Sequence, residues 1–270
     1  FIKNESSNPL GRFSVGTPRT SDGSLLFLQH MISKMERKGS RIGIVFNGSP
    51  LFTGDSGSGE SEIRKWIIEN DWLEFIVSLP TQLFFNTGIS TYIWIVNNNK
   101  SDKRKGKVQL VNGSDYFINM RKKLGDKRKK VSETHREEIV NHYLQFEEND
   151  KSLIFPNSHF GYTKITIEQS LLDDDGNVIT DRQGNPKPDS KKRDYERVPL
   201  EQDIDDHYNR EVKPHLPNSW MDRSKDKVGY EINFTKYFYK YKPLRSLEEI
   251  TQDLLKLDEE IVGKMKEILD

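Results

Sequence analysis

Two adjacent phenylalanines, Phe84 and Phe85, lie in the string Leu79-Pro80-Thr81-Gln82-Leu83-Phe84-Phe85-Asn86-Thr87-Gly88-Ile89-Ser90-Thr91. The string joins two apolar strand-like runs, Phe75 to Leu79 and Ile89 to Val96. A strand usually leaves the core through a polar turn, because an exposed ring keeps apolar surface in water. Rings at a strand end are therefore either satellite core or a surface for a flat partner. A nucleobase drawn out of its duplex is such a partner, since it needs a replacement π surface, and a loop aromatic can supply one. Phe84 and Phe85 are the candidate rings, with Asn86 and Thr87 beside them.

A basic belt occupies residues 100 to 130: Lys100, Lys103, Arg104, Lys105, Lys107, Arg121, Lys122, Lys123, Lys127, Arg128, Lys129 and Lys130, opposed only by Asp102, Asp115 and Asp126. It reads either as a solvated loop or as a set of phosphate contacts along DNA, each adding salt-sensitive, sequence-blind affinity. The phosphate candidates are Lys103, Arg104, Lys105, Arg121, Lys122 and Lys123. The neighbouring Tyr116 and Phe117 do not by themselves make a stacking platform.

Other suggestive patterns fail on context. Gly54-Asp55-Ser56-Gly57 imitates a serine-protease nucleophile motif, but no His-Asp pairing accompanies it. The same glycine-rich loop lacks the Lys-Ser/Thr that a P-loop places on phosphates and metal. Asp173-Asp174-Asp175-Gly176-Asn177 hints at calcium. Setting Gly176 as the loop glycine puts Leu171 and Arg182 at the first and last ligand positions, which excludes an EF-hand. The six histidines offer no metal-ligand pairing; His135 and His142 sit seven apart and read as surface residues. No metal site is expected.

The chain has 270 residues, 42 basic and 42 acidic side chains, and no cysteine. Disulfides and thiolate metal sites are excluded, and a cytoplasmic location is expected. Zero net charge gives no global field for nucleic acid, so DNA contact must come from local patches or another subunit. Apolar residues are 33% and the mean hydropathy is −0.79, a lean supply for a self-sufficient core. No apolar run approaches the roughly 20 residues of a membrane helix. The chain opens on Phe1 in polar, loop-like sequence and reads as a fragment whose upstream part is missing.

The elements that must position these residues alternate in type. Ser21-Asp22 precedes a helix with Leu25, Leu28, Met31, Ile32 and Met35 at helical spacing, stopped by Gly39. Arg41 to Phe46 has the continuous apolar character of a strand buried on both faces. A Gly/Ser-rich loop leads to a helix with Ile63, Trp66 and Ile67, then to the strand Phe75-Ile76-Val77. Helix, strand, loop, helix, strand is half of a doubly wound α/β domain. The next strand follows after about ten residues, too few for a parallel crossover, so an antiparallel hairpin is expected.

Further on, Val108 to Val111 is strand-like. A helix from Ser132 is expected to bury Ile139, Val140, Tyr143 and Leu144. Tyr162 to Ile167 reads as a strand, and Asp173 to Asp194 as an exposed hairpin or mobile loop. No internal repeat is apparent. A last helix opens with a capping box, Ser246 and Glu249. Its apolar seam of Leu247, Ile250, Leu254, Leu257, Ile261 and Ile268, with Met265 nearby, suits its own domain or another chain.

Several stretches resemble the methyltransferase (M) subunits of type I restriction-modification systems. Ser24 to Met31 is similar to the helix after their catalytic loop, and Arg41 to Gly48 with Leu51-Phe52 to the following strand and loop. Glu62 to Trp66, Glu74 to Ser78 and Leu79 to Thr91 resemble the next motifs. Phe160 to Thr166, Glu211 to Pro214, Trp220-Met221-Asp222 and Gly229 to Ile232 resemble the family's C-terminal region. The resemblance implies an α/β fold: the C-terminal half of a Rossmann-like methyltransferase sheet ending in an antiparallel hairpin (1–112), a mixed α+β region with the basic belt and exposed loop (113–243), and a terminal assembly helix (244–270).

It also implies methyl transfer from S-adenosylmethionine to the exocyclic amine of adenine, with Phe84 stacking on the flipped base. The implied partners are DNA, a second M subunit, a specificity subunit met through the terminal helix, and a restriction subunit that can join them. The family's glycine-rich cofactor motif and its Asn-Pro-Pro-Phe/Tyr catalytic motif are absent here, and Asn8-Pro9-Leu10-Gly11 is no substitute. No catalytic residue is therefore assigned, and the chain alone is expected to bind cofactor poorly and to methylate nothing. The competing reading is a noncatalytic module that docks helices and contacts the DNA backbone.

Overall fold

A turn of helix, α1 (Ile2–Ser6), precedes α2 (Ser24–Ile32). Asp22 starts α2 by accepting from the Ser24 amide at 3.1 Å and the Ser24 hydroxyl at 2.6 Å. The helix buries Leu25, Leu28 and Ile32 and ends at Ile32, short of Gly39. The structure, a computed structural model, describes residues 1–241 and 243–269, without the side chains of residues 263 and 266–269.

Strand β1 (Arg41–Asn47) is half-buried, which corrects the expectation of two covered faces. Ile42 and Phe46 point into the core while Val45 is 50% exposed, because β1 lies at the edge of its sheet. A short α3 (Ser49–Phe52) leads to α4 (Gly59–Glu69), capped by Ser58, whose hydroxyl accepts from the Ser61 amide at 3.2 Å. Then come β2 (Leu73–Leu79) and β3 (Thr91–Asn97), followed by β4 (Lys107–Asn112).

The sheet order is β1-β3-β2-β4, with a fifth strand beyond β4. The antiparallel β2–β3 hairpin is present, and its second strand is inserted between β1 and β2 rather than added outside them. Trp94 of β3 faces Ile44 on one side and Ile76 on the other. With β3 antiparallel to both, β1, β2 and β4 run in the same direction and share one carboxyl end. All seven residues of β2 are buried, as a central strand covered on both faces requires.

Strands β5 (Ile118–Leu124) and β6 (Lys127–Lys130) form a separate two-stranded ribbon. Helix α5 (Glu133–Gln145) is capped by Ser132 and packs Ile139 and Tyr143 on Phe75, Val77 and Val111. Val140 and Leu144, expected in the core, face solvent. β7 (Ser152–Pro156) then pairs antiparallel with β4.

β8 (Gly161–Gln169) is the spine of a second, antiparallel sheet. β9 (Asp194–Pro199) lies along one edge; β10 (Ser219–Met221) and β11 (Lys227–Tyr230) share the other. Its core is Ile165, Ile167, Val198, Tyr208 and Val212, with α6 (Ile204–His207) contributing Ile204.

The arm from 173 to 192 is an exposed hairpin and does contain a repeat. Asp173 and Asp181 each accept amides two and four residues on, and each holds an asparagine, Asn177 or Asn185. Gly176 and Gly184 supply the left-handed turn at matching positions.

Phe1–Phe234 forms one compact unit and Thr235–Asp270 a second. α7 (Phe234–Tyr237) spans the join, and the second unit is chiefly α8 (Leu247–Leu269). The α8 capping box is formed: the Glu249 amide donates to the Ser246 hydroxyl at 3.1 Å, and the Ser246 amide donates to Glu249 Oε2 at 3.3 Å. Leu247, Ile250, Leu254, Leu257, Ile261 and Met265 are exposed; the Ile268 side chain lies outside the described residues. Among the described residues, no helix is long and apolar enough to cross a membrane.

Candidate nucleic-acid interface

In open α/β sheets ligands meet the loops at the carboxyl ends of parallel strands. Here the ends of β2 and β4 are pinned together, with the Gly113 amide donating to Ser78 O at 3.1 Å and the Ser78 hydroxyl donating to Asn112 Oδ1 at 3.1 Å. The loop with the two phenylalanines leaves from this pinned end. Pro80 is buried, Gln82 takes a left-handed φ of 59°, and Phe84 closes a tight bridge with Thr87. Phe84 is 38% exposed and Phe85 57% exposed. Both rings therefore reach solvent from a defined loop, Phe85 more than Phe84.

The tip of the β5–β6 ribbon lies against this loop. Amides of Arg128 and Lys129 donate to Gln82 O at 3.0 and 3.2 Å, and the Asp126 amide donates to Phe85 O at 3.0 Å. Lys127 Nζ donates to Leu83 O at 2.9 Å and stands 5.6 Å from the Phe85 ring centre. Sequence spacing gave no sign of this contact.

The basic belt divides into two populations. Arg121, Lys122 and Lys123 on β5 are exposed, as are Lys103 and Lys105. Lys103 Nζ donates to Leu144 O at 3.2 Å, and Lys105 pairs with Asp102 at 2.6 Å. Arg104 must be withdrawn from the phosphate candidates. It is buried, its guanidinium lies 4.0 Å over the Tyr143 ring and 4.3 Å over Phe146, and it donates to Gln109 Oε1 at 3.1 Å. Its Nε is 3.7 Å from Glu74 Oε1. Glu74 is itself buried and accepts from Tyr143 Oη at 2.8 Å and Asn97 Nδ2 at 3.0 Å. Lys100 is likewise buried, on Asp71 and the Lys107 carbonyl.

His142 is half-buried, with Nε2 2.8 Å from Tyr116 Oη, and His135 lies against the same ring. Neither is the free surface residue expected. Phe117 is covered by Lys129 Nζ at 3.7 Å. Among the described residues, no three His, Asp or Glu side chains gather as a metal site would require.

One place a methyl-donor cofactor could occupy, the turn ahead of α4, does not fit the group. The glycine-rich turn between β1 and α4 would have to leave the amides of α4 open, yet Ser58 caps them and Glu60 in the first turn accepts from the Arg19 amide at 2.9 Å. A Cβ on Gly59 would stand 1.9 Å from Thr17 O, so the 17–19 segment already covers this end.

Parallel strands with an antiparallel strand inserted among them, and helices packed on the sheet, define a methyltransferase-like α/β fold. The methyltransferase subunit of the type I restriction-modification system of Streptococcus thermophilus shares it, with a TM-score of 0.50 and 23% identity over 58% of this chain and 31% of that one. The chain belongs to the N-6 DNA methylase family, whose model matches residues 2–187. It is 41% identical over 108 residues to the type I restriction enzyme HindI methylase subunit of Haemophilus influenzae, covering 40% of this chain and 23% of that one. It is 28% identical over 173 residues to the type I restriction enzyme MjaIX methylase subunit of Methanocaldococcus jannaschii, covering 63% of this chain and 29% of that one. The chain thus spans less than a third of the length of these curated relatives.

Proposed function

We propose that this chain is the base-receiving and backbone-contacting part of a type I restriction-modification M subunit, which moves a methyl group from S-adenosylmethionine to the exocyclic amine of adenine in DNA. Family membership supports DNA methylation as the chemistry. The carrying observation is Phe84, held partly exposed on an ordered loop at the carboxyl end of β2. An adenine that leaves the duplex loses its stacking neighbours, and the Phe84 ring offers it a π face while Phe85, Asn86 and Thr87 shape the loop around it. The exposed cations Lys103, Lys105, Arg121, Lys122 and Lys123 neutralise phosphates along the same DNA. The donor cradle and the Asn-Pro-Pro-Phe/Tyr groups are not among these 270 residues, so this stretch alone is inactive.

The exposed apolar seam of α8 is the surface for the specificity subunit, and a second M subunit and a restriction subunit complete the assembly. That same seam also supports the competing reading of a noncatalytic docking module. Affinity for a short labelled single-stranded oligonucleotide separates the two. Base–aromatic stacking of about 1–3 kcal/mol implies that Phe84→Ala weakens binding roughly 5- to 150-fold. Unchanged affinity removes the stacking role and leaves the docking module.

A further inference from the structure

The β5–β6 ribbon touches the aromatic loop in a way that a solvated basic turn does not. Three amides close together at the ribbon tip, those of Asp126, Arg128 and Lys129, all donate to carbonyls of the Gln82–Phe85 segment. Gly125 is required there on two counts: its φ is +60°, and an added Cβ would stand 2.8 Å from Phe85 O. Lys127 turns its charge onto the loop, with Nζ on Leu83 O and near the Phe85 ring. Five neighbouring cations do the opposite. Arg121, Lys122, Lys123, Arg128 and Lys130 are exposed and form no ion pair with any described carboxylate.

We propose that the ribbon tip, Gly125 to Lys129, is a latch that positions the Phe84–Phe85 loop, and that the ribbon's exposed cations grip the DNA backbone. Phosphate binding and presentation of the ring then become one event, because one hairpin carries both. Lys127 and Gly125 are positioning residues, while Arg121, Lys122, Lys123, Arg128 and Lys130 are the phosphate ligands. The inference rests on the reading of Phe84 as a stacking ring and adds what holds that ring in place. It also separates Lys127 from its neighbours: removal of its charge changes the loop rather than the number of phosphates neutralised.

The test combines salt-dependent duplex binding, amide hydrogen exchange and oligonucleotide affinity on the 270-residue chain. The double variant Lys122→Gln/Lys123→Gln is expected to make the slope of log affinity against log salt shallower by about 0.9 per lost contact, on any DNA sequence. Lys127→Gln is expected to leave that slope unchanged. Its Asp126 and Arg128 amides should exchange about tenfold faster, as the local hydrogen bonds open. It should also lose oligonucleotide affinity as Phe84→Ala does. Gly125→Ala should reproduce these losses with no change of charge.

If both latch variants keep wild-type exchange and wild-type oligonucleotide affinity while Phe84→Ala weakens binding, the latch is wrong and the stacking ring stands. If Phe84→Ala has no effect, the underlying reading fails first. A wild-type chain whose duplex affinity is independent of salt overturns the phosphate grip.

Discussion

Arg64 shows how a charge can serve the interior without an acidic partner. Its side chain is almost wholly buried, and its guanidinium donates to four carbonyls: Tyr230 O at 2.6 Å, Thr53 O at 2.8 Å, Pro50 O at 3.1 Å and Gly54 O at 3.2 Å. Burial pulls its pKa down to about 10, still protonated at neutral pH. These bonds tie α4 to the loop before it and to β11 of the second sheet. Truncation would strand several buried acceptors and open a cavity. Arg64→Ala is therefore expected to destabilise by about 3 kcal/mol or more, read as a lower urea midpoint. An unchanged midpoint would contradict this role. The position was legible only in part. Arg64 falls between Ile63 and Ile67 on the buried stripe of α4, but a long cation there reads equally well as one that reaches out to water.

At the scale of elements, β8 couples its sheet to its flanks through Glu168. That carboxylate is almost fully buried and accepts from Arg193 Nε at 2.8 Å and Lys225 Nζ at 2.9 Å. Burial pushes its pKa up, but the hydrogen bonds from Arg193 and Lys225 outweigh it and hold the carboxyl below the ordinary 4.5. The ionised form thus favours the folded state. Its contribution is complete above pH 4.5 and disappears as the pH falls through the lower folded value. Glu168→Gln is expected to cost about 1–2 kcal/mol at neutral pH, with the difference shrinking in acid. Denaturation at a series of pH values checks this, and a constant difference would refute it.

Elements whose signals are local were readable in advance. The α8 capping box is written in Ser246 and Glu249, and the β2–β3 hairpin follows from a connection too short for a crossover. Burial was less readable. The run Arg41 to Phe46 is apolar enough for a central strand, yet its place at the sheet edge leaves Val45 exposed. Val140 and Leu144 fit the α5 pattern, but that helix presents only Ile139 and Tyr143 to the sheet. The twin turns at Asp173 and Asp181 carry a repeat of type and spacing that is plain once their hydrogen bonds are seen.

For the whole molecule, the decisive relations join distant residues, and no local spacing encodes them. Arg104 and Lys103 are neighbours in one basic run, but only Arg104 passes beneath α5 to Glu74 and Tyr143. The ribbon tip and the aromatic loop are likewise separated in sequence and joined in space. Motif resemblance identified the loop, while its exposure and its support had to come from the fold. The proposed role of Phe84 is to receive a base removed from its duplex. Its most direct test is ultraviolet cross-linking of the chain to a duplex carrying 5-iodouracil at a mismatched, easily extruded position, followed by peptide mapping. The expected result is a cross-link within residues 79–91 at Phe84, lost in Phe84→Ala. Cross-links confined to other segments, and unchanged in that variant, would contradict it.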